Sequence, residues 1–189
     1  MAEYKSDVKK IYYPVERVYE RLSDLNNLTV IQQNLDNPMI REKMLEQAKA
    51  KLQAYEIEYV LEKSTDIRFE DEFEVVTAIQ SHHYMHEEER ELAVKNVYRA
   101  LKKGGIFICF ENVVPDDPAV KQQELLRWGR YQQRRGKTAE EALAHNARCG
   151  VNYFPLTVPQ HIDLLKKTGF SAVHVFWISY MQMGIYAIK

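Results

Sequence analysis

Glycine is absent from the first 103 residues of this 189-residue chain, and all seven glycines lie at or after Gly104. Because glycine has no Cβ atom, it lets the backbone turn sharply and lets a ligand approach the main chain closely. Turns that cradle phosphates or nucleotides with backbone N–H groups commonly depend on such glycines. The first half of the chain therefore excludes a glycine-rich ligand-binding turn.

Cysteine and long apolar runs are also scarce. Cys109 and Cys149 are far apart, and neither belongs to a CxxC or other metal-type pattern. Cys109 lies in an apolar run, where a thiol behaves as a small hydrophobic side chain. The amino terminus has no apolar region typical of a signal peptide, and no apolar segment approaches the length that spans a membrane. We expect a protein of the reducing cytoplasm with no membrane partner.

Charge of one sign is not in excess. Lysine and arginine number 26 against 27 aspartates and glutamates, which gives a net charge of −1. A balanced charge gives no overall attraction to nucleic acids or anionic membranes. The segment RWGRYQQRRGK (127–137) is locally basic, but a run of this length is usually a solvated helix face. The sequence therefore carries no strong nucleic-acid signal.

The chain does contain a regular alternation of strand and helix patterns. The apolar runs FEVVTAI (73–79) and IFICFENV (106–113) are typical of strands covered on both faces in a parallel sheet. Residues 87–103 predict a helix with acidic residues in its first turn, lysines in its last turn and Gly104 as its C-cap. The other predicted elements are a strand at 4–13, helices at 14–25, 28–35 and 39–55, a strand at 57–63, a helical segment at 117–147, a helix from 158 closed by Gly169, and strands at 171–179 and 184–189. This order predicts an α/β sheet that ends in an antiparallel strand pair.

A polar cluster follows the predicted strand at 73–79. In an open α/β sheet, ligands lie beyond the carboxyl ends of the strands, so these side chains are candidates for a pocket. One histidine could act as a general base, because the unperturbed pKa of imidazole lies near neutrality. The structural alternative is that one histidine packs in the core while the other caps the next helix. The residues concerned are Gln80, Ser81, His82, His83 and Tyr84, with Glu111 and Asn112 at the end of the following strand.

A metal site is not predicted at this cluster. His82 and His86 are four residues apart, which would place them on one face of a helix, but the sequence is not HExxH. Zinc sites need further nitrogen, sulfur or carboxylate ligands, and no third ligand is apparent.

Several stretches, taken together and in order, resemble one family. They are EKMLEQAKAKL (42–52), FEDEFEVVTAIQSHHYM (69–85), VYRALKKGGIFICFENV (97–113), LLKKTGFSAVHVFW (164–177) and GIYAIK (184–189). From about residue 42 to 189 the chain resembles the class I S-adenosylmethionine-dependent methyltransferases, and it shares features with carboxy-S-adenosylmethionine synthases. The resemblance implies a Rossmann-like sheet, S-adenosylmethionine as cofactor and a small-molecule acceptor.

The resemblance also assigns roles to residues. The exit of the strand at 73–79 would face the transferable methyl group and the acceptor, and the segments RWGRYQ (127–132) and 145–155 would cover the substrate. An aromatic and cationic mixture suits a planar or anionic acceptor, although a helix packing on the sheet is the simpler interpretation for Trp128. The expected residues are His83 and His82 for catalysis, Gln80, Ser81 and Asp66 for the cofactor, and Tyr84, Glu111, Asn112, Trp128, Arg130, Tyr131 and Gln132 for the substrate.

Three cofactor contacts expected in this family are missing from the sequence. The glycine-rich turn and the first strand before it have no counterpart before residue 39. Met39 stands where an acidic residue would hold the ribose, and Lys63 stands where another would bind the adenine, with Asp66 as a nearby substitute. We therefore expect weak or absent binding of S-adenosylmethionine.

The amino-terminal segment resembles a different family. Residues 4–37 are similar to the first strand and helices of START-like (polyketide cyclase, Bet v 1-type) lipid-binding domains, which implies lipophilic ligands. We expect a START-like segment at 1–38 packed on a partial methyltransferase domain at 39–189, as in a chimeric chain of natural, engineered or designed origin. The alternative to an enzyme is a non-catalytic binding or structural module, such as a homodimer paired through an open sheet edge.

Overall fold

The computed structural model describes residues 9–12, 45–47, 49–50, 52–54, 57–60 and 62–189. The chain forms two compact units, Met1–Ile67 and Arg68–Lys189. In the first unit, strand β1 (Lys9–Tyr12) pairs in parallel with β2 (Ile57–Val60), and residues 45–47 and 49–50 are helical. These elements agree with the predicted strands at 4–13 and 57–63 and the predicted helix at 39–55. The predicted helices at 14–25 and 28–35, and most of the START-like segment, lie outside the described residues.

The second unit is built on a four-stranded mixed sheet in the order β3-β4-β6-β5. The connection from β3 to β4 is a parallel crossover through a helix, whereas β6 runs antiparallel to both of its neighbours. This is the α/β sheet with a terminal antiparallel pair that the sequence predicts. The elements are β3 (Phe73–Ile79), a 3-10 turn (His82–Tyr84), α1 (Glu87–Ala100), β4 (Leu101–Asn112), α2 (Pro118–Arg134), α3 (Ala139–Ala147), α4 (Val158–Thr168), β5 (Ala172–Ser179) and β6 (Gln182–Ile188).

One face of this sheet carries the hydrophobic core. Alternate residues point to the same face of a strand, and the buried positions in the second half of β4 are Phe107, Cys109 and Glu111. Helices α1 and α4 contribute apolar side chains such as Val97 and Leu165 to the same cluster. Because this core holds β3 and β4 side by side, their carboxyl ends meet at one edge of the sheet.

Two details of the predicted strands and helices are wrong. Val75 is 51 % exposed, so β3 is not covered on both faces; it is an edge strand of this sheet, and Val75 points away from the core. Helix α1 ends at Ala100, because Leu101 is fully buried and pairs with Phe73 in the sheet. Lys102, Lys103 and Gly104 therefore belong to β4 and not to the end of the helix.

The remaining helical predictions agree more closely with the structure. Gly169 adopts a φ of +119° and caps α4, as its position indicates. The segment at 117–147 is two helices with a break around Gly136, which has a φ of +100°. No helix in the described part of the chain is long and apolar enough to cross a membrane.

Candidate functional site

The site begins where the chain leaves β3. Gln80 has a φ of +54°, in the left-handed region that non-glycine residues rarely adopt. Its backbone N–H donates to the carbonyl oxygen of Phe110 at 2.7 Å, which extends the pairing with β4 by one residue. The turn directs residues 81–83 into the interior, where each is at most 4 % exposed. The polar cluster of the sequence is therefore a buried cluster.

The carboxylate of Glu111, at the end of β4, binds the backbone of this turn. It accepts hydrogen bonds from the backbone N–H of His82 at 3.2 Å and of His83 at 2.9 Å. Its Oε2 also lies 2.7 Å from Nδ1 of His83, and both side chains are 1 % exposed. An ionised carboxylate satisfied by several donors is a stable arrangement in a protein interior.

The pKa values of the buried groups reflect this arrangement. Burial on its own would raise the pKa of Glu111, but the hydrogen bond from His83 and the nearby imidazoles outweigh it, and the pKa falls to about 2. Burial lowers the pKa of His82, with Glu111 opposing the shift. Burial likewise lowers the pKa of His161, in the first turn of α4, to about 4. At neutral pH, Glu111 is ionised, whereas His82 and His161 are uncharged.

Arg90 of α1 fixes the backbone around the site. Its guanidinium donates to the carbonyl oxygens of His82 at 3.0 Å and Met85 at 2.9 Å, and also to that of Phe154. The backbone N–H of Phe154 in turn donates to the carbonyl oxygen of His83 at 2.6 Å. The loop before α4 is thereby held against the turn after β3. A planar guanidinium with several donors suits three carbonyls at once.

Three buried polar atoms at or near this cluster have no hydrogen-bond partner within the described residues. They are Oγ of Ser81, Nε2 of His83 and Nε2 of His161. Buried polar groups are nearly always hydrogen-bonded to protein or water, so each of these atoms has capacity for a further partner. They are the positions at which a water molecule or a ligand atom would be bound.

The predicted site residues fall into two groups. Ser81, His82, His83 and Glu111 come together as described, and the ring of Tyr84 lies 4.3 Å from that of His83. Gln80 precedes them in the same turn. Three of the other predicted residues make the following contacts. Asn112 pairs with Gln182 in the sheet, Asp66 is exposed in the first unit and accepts from Oγ1 of Thr65 at 3.2 Å, and Gln132 is buried and donates to Asn146 at 3.2 Å.

Trp128 and Tyr131 of α2 pack at a different place. Their rings stack at 5.2 Å, and Tyr180, in the turn between β5 and β6, lies 5.8 Å and 5.0 Å from them. Arg130 is exposed on another side of the helix. Trp128 therefore packs against other aromatic rings, as expected, while its own ring is partly exposed.

The structural alternative for the histidine pair is wrong in part. The N-cap of α1 is His86, whose backbone N–H donates to Glu89 at 3.3 Å, so neither His82 nor His83 caps that helix. Nor do three or more His, Cys, Asp or Glu side chains come together as metal ligands anywhere among the described residues.

Sequence reasoning missed Arg90 and His161. Arg90 lies in the acidic stretch EEER, which is typical of an exposed first turn, and nothing in that pattern indicates a buried cation. His161 lies in the first turn of α4, three residues after Val158, at a spacing that favours the buried face of the helix. This spacing could have identified His161 as a buried residue from the sequence.

Sequence comparisons link the chain to methyltransferases. Residues 24–109 match the family model described as a methyltransferase domain, and the match includes part of the segment that resembles START-like proteins. Carboxy-S-adenosyl-L-methionine synthase of Staphylococcus epidermidis is 29 % identical over 135 residues, which cover 70 % of this chain and 58 % of that protein. The synthase of Helicobacter hepaticus is 27 % identical over 141 residues, with coverages of 72 % and 59 %. The chain spans about three fifths of the length of these relatives.

Solved structures agree in fold. PigF with SAH has a TM-score of 0.57 at 17 % identity, covering 80 % of this chain and 41 % of that one. The YcgJ protein of Bacillus subtilis has a TM-score of 0.56 at 14 % identity, with coverages of 78 % and 79 %. A putative methyltransferase of Bacillus halodurans C-125 has a TM-score of 0.53 at 15 % identity, with 78 % of each chain covered. The chain therefore has the open Rossmann-like α/β fold of the class I S-adenosylmethionine-dependent methyltransferases, the family to which its sequence is also similar.

Proposed function

We propose that this chain is an S-adenosylmethionine-dependent methyltransferase whose acceptor side is built around His83 and Glu111 and whose hold on the cofactor is weak. The observation that carries the proposal is the buried His83–Glu111 pair at the joined carboxyl ends of β3 and β4. Ligands of open α/β sheets bind at this edge. The named relatives, which are longer than this chain, support S-adenosylmethionine chemistry.

His83 is the proposed general base. The carboxylate of Glu111 keeps a proton on Nδ1, which leaves Nε2 as the nitrogen with a free lone pair. Nε2 has no hydrogen-bond partner in the described part of the chain, so it has a lone pair that can take the proton of an acceptor hydroxyl. His82 is uncharged at neutral pH and lies beside Phe107, with ring centroids 6.2 Å apart, which suits a supporting role.

The proposed cofactor contacts are Gln80 and Ser81, at the turn after β3. Oγ of Ser81 is buried without a partner among the described residues, as a ligand-binding hydroxyl would be. When bound, S-adenosylmethionine supplies an electrophilic methyl group on a sulfonium. The remainder of the family's cofactor site depends on backbone free of side chains, and no glycine occurs before Gly104. The acidic substitute Asp66 is exposed and accepts a hydrogen bond from Thr65.

Calorimetric titration with S-adenosylhomocysteine tests the cofactor proposal. We expect a Kd of about 1 mM, which corresponds to roughly −4 kcal/mol, and a further loss in Ser81→Ala. Ser171→Ala, on the opposite end of the sheet, is the matched control and should bind like the parent chain. Micromolar affinity would disprove the weak hold, and saturable binding that Ser81→Ala leaves unchanged would place the cofactor elsewhere.

The base is tested by comparing His83→Asn with His83→Ala. Asparagine can still donate to Glu111 but cannot take a proton at the position of Nε2. With S-adenosylmethionine in excess and a panel of planar phenols as acceptors, we expect release of S-adenosylhomocysteine to fall about 100- to 10,000-fold in both variants. Unchanged turnover in His83→Asn would exclude His83 as the base, and the contact between His83 and Glu111 would then have only a structural role.

A second candidate, a non-catalytic module that pairs with another copy, is favoured by strand β5. This strand is at the edge of the four-stranded sheet and has no charged residue between Ala172 and Ser179. Phe176, Trp177 and Ile178 are 46 %, 40 % and 57 % exposed. Soluble proteins usually protect such an edge with charges or proline. Light scattering should then give a dimer that Ile178→Lys converts to a monomer; a concentrated monomer of the parent chain would contradict this candidate.

The domain boundary near residue 38 stays a prediction. If residues 39–189 form a partial methyltransferase domain, limited proteolysis should first cut near residues 36–39 and leave a stable fragment from there onward. A stable product that begins near residue 68, at the boundary between the two compact units, would contradict it.

A further inference from the structure

Helix α2 carries three arginines on one face. Arg127, Arg130 and Arg134 are three and four residues apart, and residues at these spacings lie one above another along a helix. All three are exposed, and the basic run continues past the helix to Arg135 and Lys137. No acidic residue occurs between 127 and 137. We call Arg127, Arg130 and Arg134 the arginine stripe.

An aromatic cluster borders this stripe. It consists of Trp128 and Tyr131, which stack with their ring planes 19° apart, and Tyr180. The guanidinium of Arg127 lies 4.9 Å from the centroid of the Tyr180 ring, which joins the stripe to the cluster. Glu124 contacts Arg127 at 3.5 Å, at the edge of the stripe. Each of the three rings is partly exposed, so their outer faces can contact a ligand.

The turn that supplies Tyr180 is strained. Tyr180 has a φ of +51°, a region in which glycine or asparagine is usual for such a turn. A non-glycine residue there costs on the order of 1 kcal/mol. The strain holds a ring against α2, where a smaller turn residue would leave Trp128 and Tyr131 without it.

The shape of the stripe favours an extended polyanion. Successive arginines are separated by about 4.5 to 6 Å along the helix axis, so they form a row and do not converge on one point. A single phosphate or carboxylate would need converging cations, whereas a chain of phosphates needs a row. A membrane-surface helix would insert a broad apolar face beside its cations. Here one flank of the stripe packs against Tyr180, and the large exposed apolar side chains described on α2 are two, Val120 and Leu126.

We propose that this surface binds single-stranded nucleic acid, with phosphates along the arginine stripe and bases stacked on the aromatic cluster. Binding of single strands combines a cationic track with exposed aromatic rings, because every base has a π-face. Neither His83 nor the cofactor takes part in this surface, so nucleic-acid binding does not depend on the proposed methyl transfer.

Fluorescence anisotropy with a labelled 12-nucleotide oligo(dT) tests the proposal. At 50 mM salt we expect a Kd of about 1 to 100 μM, within the range of nonspecific binding. The triple variant Arg127→Gln, Arg130→Gln, Arg134→Gln should bind at least tenfold more weakly, and the slope of log K against log salt should become shallower by about 2. Tyr131→Leu should weaken binding and leave the slope unchanged. The charge-matched control Lys95→Gln, Lys103→Gln, Lys166→Gln should bind like the parent chain.

Four results would overturn the proposal. They are no binding at 50 mM salt, equal loss in the lysine control, an unchanged Kd in both Tyr131→Leu and Trp128→Leu, and equally tight binding of heparin or of vesicles with anionic lipid. The last result would show a surface for any polyanion or for a membrane. Circular dichroism of each variant separates loss of binding from loss of fold.

Discussion

Nδ1 of His83 lies 2.7 Å from Oε2 of Glu111, and together they join the end of β3 to the end of β4 below the surface of the protein. The same carboxylate accepts from the backbone N–H of His82 and His83, so one side chain fixes both the ring and the turn that carries it. Because strands alternate their faces, a slip of one residue in β4 would remove Glu111 from this position. The register of two apolar strands thus determines the geometry of the polar site.

Replacing Glu111 by glutamine should destabilise the protein by about 3 kcal/mol. The amide keeps the shape of the side chain, but it is uncharged and brings an NH2 group toward the backbone donors that the carboxylate accepted. Urea unfolding followed by far-UV circular dichroism measures the change in the free energy of unfolding. The exposed Glu70→Gln is the control, and we expect less than about 0.5 kcal/mol for it. Equal effects of the two substitutions would contradict the role given to Glu111.

Acid should destabilise the protein in two steps. The pKa of His161 is about 4 in the folded protein and 6.5 in the unfolded chain. Between these pH values the unfolded chain binds a proton that the folded chain does not, so stability falls as the pH drops. His161 contributes at most about 3 kcal/mol to this loss. His82, whose pKa burial also lowers, adds to it. The folded pKa of Glu111 is about 2 against 4.5, which adds a further loss below pH 4.5.

Urea unfolding from pH 8 to pH 3 measures both steps, and His161→Gln separates them. The variant should lose part of the slope between pH 6.5 and 4, because His82, whose pKa burial also lowers, remains, and it should keep the slope below pH 4.5. The neighbours that contribute to the potential at His161 are Glu111, Arg90, His82 and His83, all of which remain in the variant. If the slope between pH 6.5 and 4 is the same in the variant, another group is responsible.

The fold was largely predictable from sequence because its signals are local. The apolar run at 73–79, the helix closed by Gly169 and the terminal strand pair all follow from periodicity and capping residues, and the structure has them. The end of α1 was not predictable in this way. Lys102, Lys103 and Gly104 are good C-terminal residues of a helix, but pairing of Leu101 with Phe73 is a long-range contact that overrides them.

The candidate site was predictable in its location but not in its construction. The rule that ligands bind at the carboxyl ends of strands identified residues 80–84 and Glu111 from sequence. Its construction depends on contacts between residues far apart in the chain. Glu111 accepts a hydrogen bond from the backbone of His83, and the buried Arg90 donates to the carbonyl oxygen of His82. Asp66, expected at the same pocket by resemblance, belongs by its contacts to the other compact unit.

Arg90→Lys should loosen the loop before α4 more than it lowers global stability. Lysine keeps the positive charge but cannot donate to three carbonyls in the geometry of a guanidinium. We expect a loss of about 2 kcal/mol, because at least one of the carbonyls of His82, Met85 and Phe154 would remain buried without its donor. Hydrogen exchange should show faster exchange at the N–H of Phe154, which donates to His83. Arg130→Lys, on the surface, is the control, and unchanged protection of Phe154 would contradict the prediction.

Gly105→Ala should be more damaging than Gly104→Ala, although Gly104 is the residue with the unusual backbone. A Cβ on Gly105 would lie 2.8 Å from the carbonyl oxygen of Lys102 and 3.1 Å from that of Phe73, and these are backbone atoms that cannot rotate away. A Cβ on Gly104 meets nothing within 4 Å, so its cost is that of the φ of +78° alone, about 1 kcal/mol. We expect roughly 2 to 3 kcal/mol for Gly105→Ala, because β3 and β4 must move apart where they begin to pair. Thermal unfolding of the two variants in parallel measures the difference; a larger loss in Gly104→Ala would mean that backbone conformation, and not the close approach of the strands, sets the need for glycine here.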